Sequence, residues 1–388
     1  MQGRRDHWSK AGASTIALAL LVVGAVLAQD PAAPDQTKGA AAKGKDADKE
    51  KEKGKTAPGR KGLVKTPART PNKGIRKAVD PLANPANVDG AAVAPGQPLP
   101  APGTFHYRFK IALGDAQPVS VAYYPSKTPG ITTPVVMLIH ERERSSKDFE
   151  ESIAELKKLS MAEELQKQGF TVLALDLRNH GASTPRRTLP KAEWANVAED
   201  LQTAYYCLVD RHNWSELNVS KLGVVALGEG ANVAASWAAR GGAVSEGRTS
   251  DLGSLVLVSP MIDAQSQGIT LRPAISVIAS RVPIDILAGE KDVASAPLID
   301  ESPTSVKTIV KRYRSNKVET FPSALHGYKL LQFEPNLTQT ITRFLDATSK
   351  VKADPWEGRY LLTPVTYTDI KVIKNPVRID PATKKAAN

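Results

Sequence analysis

The chain has 388 residues, of which 41% are hydrophobic and 24% charged, with a formal net charge of +12 and a single cysteine. That length admits two or three average domains, and one cysteine excludes an internal disulfide framework. The charge excess is local: 11 lysines and 3 arginines against 7 carboxylates fall between Gln29 and Asp80, so the remainder is close to neutral. Specific nucleic-acid binding is therefore not expected.

The N-terminus carries Arg4, Arg5 and Lys10, then an apolar run from Ala11 to Leu27 that ends in small residues at Val26-Leu27-Ala28. This layout predicts a signal peptide over 1–28, with a membrane anchor as the alternative. Residues 29–103 are rich in Ala, Pro, Gly and Lys, which predicts a disordered basic linker. Its 29–80 portion is a candidate for contact with an anionic surface or membrane, although a solvated spacer explains the same composition.

From Phe105 the texture is that of a folded domain, expected over 104–350. Phe105–Ile111 and Val119–Tyr124 alternate as strands do, with no helix between them. Pro134–Ile139 is a continuous apolar run, as for a strand buried on both faces. A helix over Ser160–Gln168 and a strand over Thr171–Leu175 follow. Next come a helix over Trp194–Val209, a strand over Leu222–Leu227 and an Ala-rich helix over Glu229–Arg240. Strands over Leu255–Val258 and Pro283–Leu287, a helix over Ser302–Tyr313, a strand over Lys317–Phe321 and a helix over Leu337–Ala347 complete the alternation. The repeated strand–helix order predicts an α/β fold in three layers, with a mostly parallel central sheet and an antiparallel N-terminal edge. Only about 20 residues separate Pro260 from Arg281, so little or no cap domain is expected. The extension 351–388 has strand-like stretches at Tyr360–Leu362 and Asp369–Ile373, and is expected to pack on the domain or meet a partner. Cys207, inside a helical pattern, reads as a buried structural thiol.

Ligands of such sheets sit at the carboxyl ends of the strands, and five loops there are informative. They carry His140-Glu141, the run Asp176-Leu177-Arg178-Asn179-His180-Gly181-Ala182-Ser183, the turn Ala226-Leu227-Gly228-Glu229-Gly230, Gly289-Glu290-Lys291-Asp292, and Ser323-Ala324-Leu325-His326-Gly327. In this order they resemble the α/β-hydrolase superfamily over roughly 105–348, with some likeness to dienelactone hydrolase at His140-Glu141. The resemblance implies a serine esterase- or aminopeptidase-like ancestry. By that resemblance Asp292 takes the triad acid position and His326 the base position. Gly228 stands where the nucleophilic serine is expected, and no Ser, Cys or Thr occurs between Leu222 and Ala235. His140, Glu141 and Glu229 fall in the oxyanion region, where a carboxylate beside developing negative charge is unfavourable.

Each of these residues also has a plainer explanation. Glu229 suits the first turn of a helix, Asp176 and His180 suit the shaping of their own turn, and Glu141-Arg142-Glu143-Arg144 alternates in sign as a solvated loop does. Asp292 and His326 alone could tie two loops together. A glycine at the elbow relieves backbone strain that a serine would have to bear. The expected function is an exported, secreted or membrane-tethered pseudoenzyme that binds an unknown small molecule or protein ligand. The alternatives are an ester or peptide hydrolase with an unusual nucleophile or a water activated by His326, and a surface protein acting through its basic tail. No cofactor and no metal is expected.

Overall fold

The computed structural model describes Leu82 and residues 103–114, 116–151, 159–183, 195–244, 250–263 and 268–375. The chain divides into two units, Met1–Asn72 and Lys73–Asn388, and every described residue lies in the second. The expected signal peptide lies outside the described residues, as does the expected linker apart from Leu82 and Gly103. No described helix is long and apolar enough to cross a membrane.

Among the described residues, nine strands form one sheet: β1 (Phe105–Leu113), β2 (Val119–Tyr124), β3 (Val135–Ile139), β4 (Thr171–Asp176), β5 (Leu222–Leu227), β6 (Leu252–Val258), β7 (Ile284–Gly289), β8 (Lys317–Phe321) and β9 (Val365–Lys374). Their spatial order is β8-β7-β6-β5-β3-β4-β2-β1-β9. The run from β4 to β8 is parallel, whereas β2–β4, β1–β2 and β1–β9 are antiparallel. This is the three-layer α/β architecture with an antiparallel N-terminal edge that the alternation predicts.

Seven described helices cover the two faces: α1 (Met161–Lys167), α2 (Ala198–Asn213), α3 (Gly228–Ala239), α4 (Leu271–Ile278), α5 (Val306–Lys311), α6 (Gly327–Phe333) and α7 (Leu337–Ala347). β3, β5 and β6 are buried at every position, because side chains of both parities meet a helical layer. One layer packs α2, α3 and α4 against Val135, Met137 and Val224; the other packs α1, α6 and α7 against Val136, Leu138 and Val225. α1 starts with a reciprocal cap: Ser160 Oγ accepts from the Glu163 N–H, and the Glu163 carboxylate accepts from the Ser160 N–H, both at 3.2 Å.

The elements differ from expectation in several places, and two helices, α4 and α6, lie where the sequence pattern predicted none. α2 runs to Asn213 instead of Val209, since the His212 ring is held by the Glu357 carbonyl at 2.7 Å and the Val219 N–H at 3.2 Å. α5 is confined to Val306–Lys311, starting where Ser305 Oγ accepts from the Thr308 N–H. Tyr360–Leu362 forms no strand, and Leu362 is 77% exposed. The second stretch grows into β9, a ten-residue antiparallel edge strand that pairs with β1. The extension therefore packs on the domain by entering its sheet.

Candidate active site

Every loop of interest leaves the carboxyl end of a parallel strand. β5 turns into α3 at Gly228, which has φ +51°, a conformation that costs most residues energy and glycine none. Two positions later, a Cβ at Gly230 would overlap the His140 carbonyl oxygen. Glycine at 230 thus lets the start of α3 close against the end of β3.

His140 is fully buried. Its Nε2 accepts from the Leu177 N–H at 3.0 Å, so its Nδ1 donates to the Glu141 carbonyl at 2.6 Å. Burial, with the neighbouring His180 and Arg144, pushes its pKa down to about 4. The ring is a neutral strut between the ends of β3 and β4. Asp176 shapes its own turn, accepting from the Ser146 N–H at 2.7 Å and the Ala182 N–H at 2.8 Å. His180 lies over the same turn, with Nδ1 2.9 Å from the Arg178 carbonyl.

Asp292, beyond β7, and His326, beyond β8, meet at 2.8 Å between Oδ2 and Nδ1. Asp292 is further held by Ser295 Oγ at 2.9 Å and the Ala294 N–H at 3.1 Å. Burial works against its charge, but the hydrogen bond and charge of His326 outweigh it and hold the carboxyl below its usual range. Burial also opposes the imidazolium of His326, yet the hydrogen bond and charge of Asp292, with Glu141 and Glu229 nearby, leave its pKa raised. A Cβ built on Gly228 would lie 3.4 Å from His326 Nε2. No hydroxyl or thiol among the described residues bonds that nitrogen.

The Glu141–Arg144 run is not a solvated loop, contrary to expectation. Glu143 faces water, but the Glu141 side chain is 16% exposed and turns inward. Its Oε2 accepts from the Tyr328 N–H at 3.1 Å, and Arg144 lies 3.9 Å from Oε1. Arg144 is locked by a 2.7 Å ion pair to Asp148 and by stacking 3.7 Å over the Tyr328 ring. Burial raises the Glu141 pKa, partly offset by the Tyr328 N–H and His326. Glu229 is half-buried in the first turn of α3.

The structure thus brings Asp292, His326, Gly228 and Glu141 together, with His140 supporting them from behind. It adds Ser295, Arg144, Gly327 and Tyr328. Of these only Gly327, next to His326, carried a sequence signal. Cys207 is buried under β9, with Sγ 3.7 Å from the Tyr367 hydroxyl, and burial pushes its thiol up to about 12. Asn213 and Asn218, each in an Asn-x-Ser sequence, spend their amides on the backbone of Arg359 and Asp354. Among the described residues no cluster of three or more His, Cys, Asp or Glu side chains is arranged to hold a metal ion.

This strand order, with a sharp turn after β5 and an acid–histidine pair on the loops after β7 and β8, is that of the α/β-hydrolase fold. The family model described as serine aminopeptidase, S33, matches residues 135–318. Among solved structures, a Pyrococcus furiosus esterase, Pf2001, is similar at 18% identity and TM-score 0.44, covering 65% of this chain and 96% of that one. An alpha-beta serine hydrolase homologue from Coxiella burnetii is similar at 15% identity and TM-score 0.40, with 61% and 95% covered. A thioesterase domain from the curacin biosynthetic pathway is similar at 12% identity and TM-score 0.42, with 62% and 99% covered. No curated protein matches the sequence.

Proposed function

We propose that this chain is a non-catalytic, ligand- or partner-binding α/β-hydrolase in which Gly228 has replaced the nucleophilic serine. The observation that carries this reading is the space beneath His326 Nε2: the residue facing it is a glycine, and no described hydroxyl or thiol takes its place. Loss of the serine from such a triad costs about 10⁶-fold in turnover, or roughly 8 kcal/mol of barrier. The carboxylates of Glu141 and Glu229 add repulsion where an oxyanion would form. The basic and apolar N-terminal layout supports a site of action outside the cytoplasm.

The test is turnover of short acyl esters and aminoacyl amides by the purified full chain. The expected result is no rate above background across the neutral range. A rate above background that is abolished by His326→Ala overturns the reading. One observation favours a second reading, hydrolysis by an activated water: the Asp292–His326 bond is intact, and no described group donates to Nε2. That reading requires a rate that rises as His326 loses its proton, with no covalent labelling by a fluorophosphonate probe.

A further inference from the structure

Gly228 is not an empty position awaiting a side chain. A Cβ built there would lie 2.8 Å from Glu141 Cβ, closer than two carbon atoms approach without something shifting, and a tight 3.1 Å from Glu141 Oε2. Glu141 is seated firmly enough that it does not simply swing away. Its carboxylate accepts the Tyr328 N–H, faces Arg144, and lies over a second glycine, Gly327 at φ +48°, where a Cβ would overlap Oε2. Two glycines from different loops, both in the left-handed region, make the room that one glutamate fills.

We infer that Glu141 is a steric plug of the elbow, so that two residues close this site, and a serine at 228 becomes a working nucleophile only when Glu141 is cut back. The inference rests on the reading that Gly228 stands at the nucleophile position, and it assigns to Glu141 the larger part of the obstruction. The remaining parts are in place. No described side chain bonds His326 Nε2, its Nδ1 is held by Asp292, and Asp292 is held in turn by Ser295 and the Ala294 N–H. In Gly228→Ser/Glu141→Gly, attack on a fluorophosphonate transfers the hydroxyl proton to His326 Nε2. The oxygen bonds phosphorus and fluoride leaves.

The test compares full-length wild type, Gly228→Ser, Gly228→Ser/Glu141→Gly, and the double variant with His326→Ala, by fluorophosphonate labelling at equal concentration. The expected result is that the double variant labels at least about tenfold faster than Gly228→Ser, and that His326→Ala removes the gain. Equal labelling of the single and double variants overturns the plug, as does a folded double variant that does not label. A stability cycle reads the same contact without chemistry. Gly228→Ala is expected to lower Tm by several degrees in the native background, and by about half as much or less beside Glu141→Gly. Equal losses in both backgrounds overturn the plug even if the serine variants fail to fold. Labelling of the wild type defeats the proposed function instead, and leaves the plug to be judged by the stability cycle.

Discussion

Asp285 sits on β7 with no surface in water, and neither of its carboxylate oxygens has a hydrogen-bond partner. Burial raises its pKa to about 7, with Glu319 adding to the shift and Lys317 opposing it. Folding therefore binds a proton that the unfolded chain, with an ordinary carboxyl near 3.8, has released. Stability is highest below that value, falls as pH rises from about 4 to 7, and stays low above it. A shift of that size corresponds to roughly 4 kcal/mol. Asp285→Asn is neutral at every pH, so its gain in Tm over wild type is expected to be small at about pH 4 and to grow to a plateau above about pH 7. Parallel wild-type and variant Tm profiles across that range would show that the Asp285 carboxyl titrates normally. Glu141 and Asp285 share a difficulty for sequence reasoning. Glu141 lies in a run of alternating charges that looks solvated, and the space it fills is made by Gly228 and Gly327 from other loops. Asp292 was placed by the buried strand β7 before it, whereas His326 follows the mostly exposed β8 and was placed by the resemblance of its loop.

The C-terminal segment is held by a chain of specific contacts on α2 and the start of β5. The Asn218 amide donates to the Asp354 carbonyl, and the Asn213 amide both donates to and accepts from the Arg359 backbone. The Arg359 guanidinium, 1% exposed, pairs with Asp251 at 2.9 Å and donates to Ser220 Oγ. β9 then pairs along the length of β1, bending at Asp369, whose φ of +56° meets the register shift between Arg108 and Lys110. The core strands were legible from continuous apolar runs, because burial on both faces leaves that signature. The role of this segment was not, because its partners lie more than a hundred residues away and Tyr360–Leu362, β-like in composition, forms no strand. Arg359→Ala leaves the buried Asp251 carboxylate without its cation, held only by the neutral Tyr205 and Ser220 hydroxyls, a loss of about 3 kcal/mol. At roughly 2–4 °C per kcal/mol for a domain of this size, Tm is expected to fall by about 10 °C. A change within about 2 °C would mean that water reaches Asp251 and that the segment is not an anchor.

Across the whole molecule the anchor and the site occupy opposite ends of the same strand. Ser220, beside Arg359, precedes β5, while Gly228 follows it. Six residues at about 3.3 Å each put roughly 20 Å between the two ends, beyond the range over which separate substitutions usually couple. The parallel centre of the sheet is buried on both faces and gives this separation its rigidity, so a loss at one end lowers global stability without reshaping the other. The charge state of His326 reports on the site end alone. Its pKa is raised by Asp292 and, more weakly, by Glu141 and Glu229. Glu141→Gln removes one of those negative charges and is expected to lower the His326 titration midpoint in an NMR pH series. Arg359→Ala, measured well below its Tm, is expected to leave that midpoint where it is in wild type. A shift in Arg359→Ala as large as that in Glu141→Gln would mean that β5 transmits strain between its ends, and that the C-terminal segment is part of the site's machinery instead of a clamp beneath it.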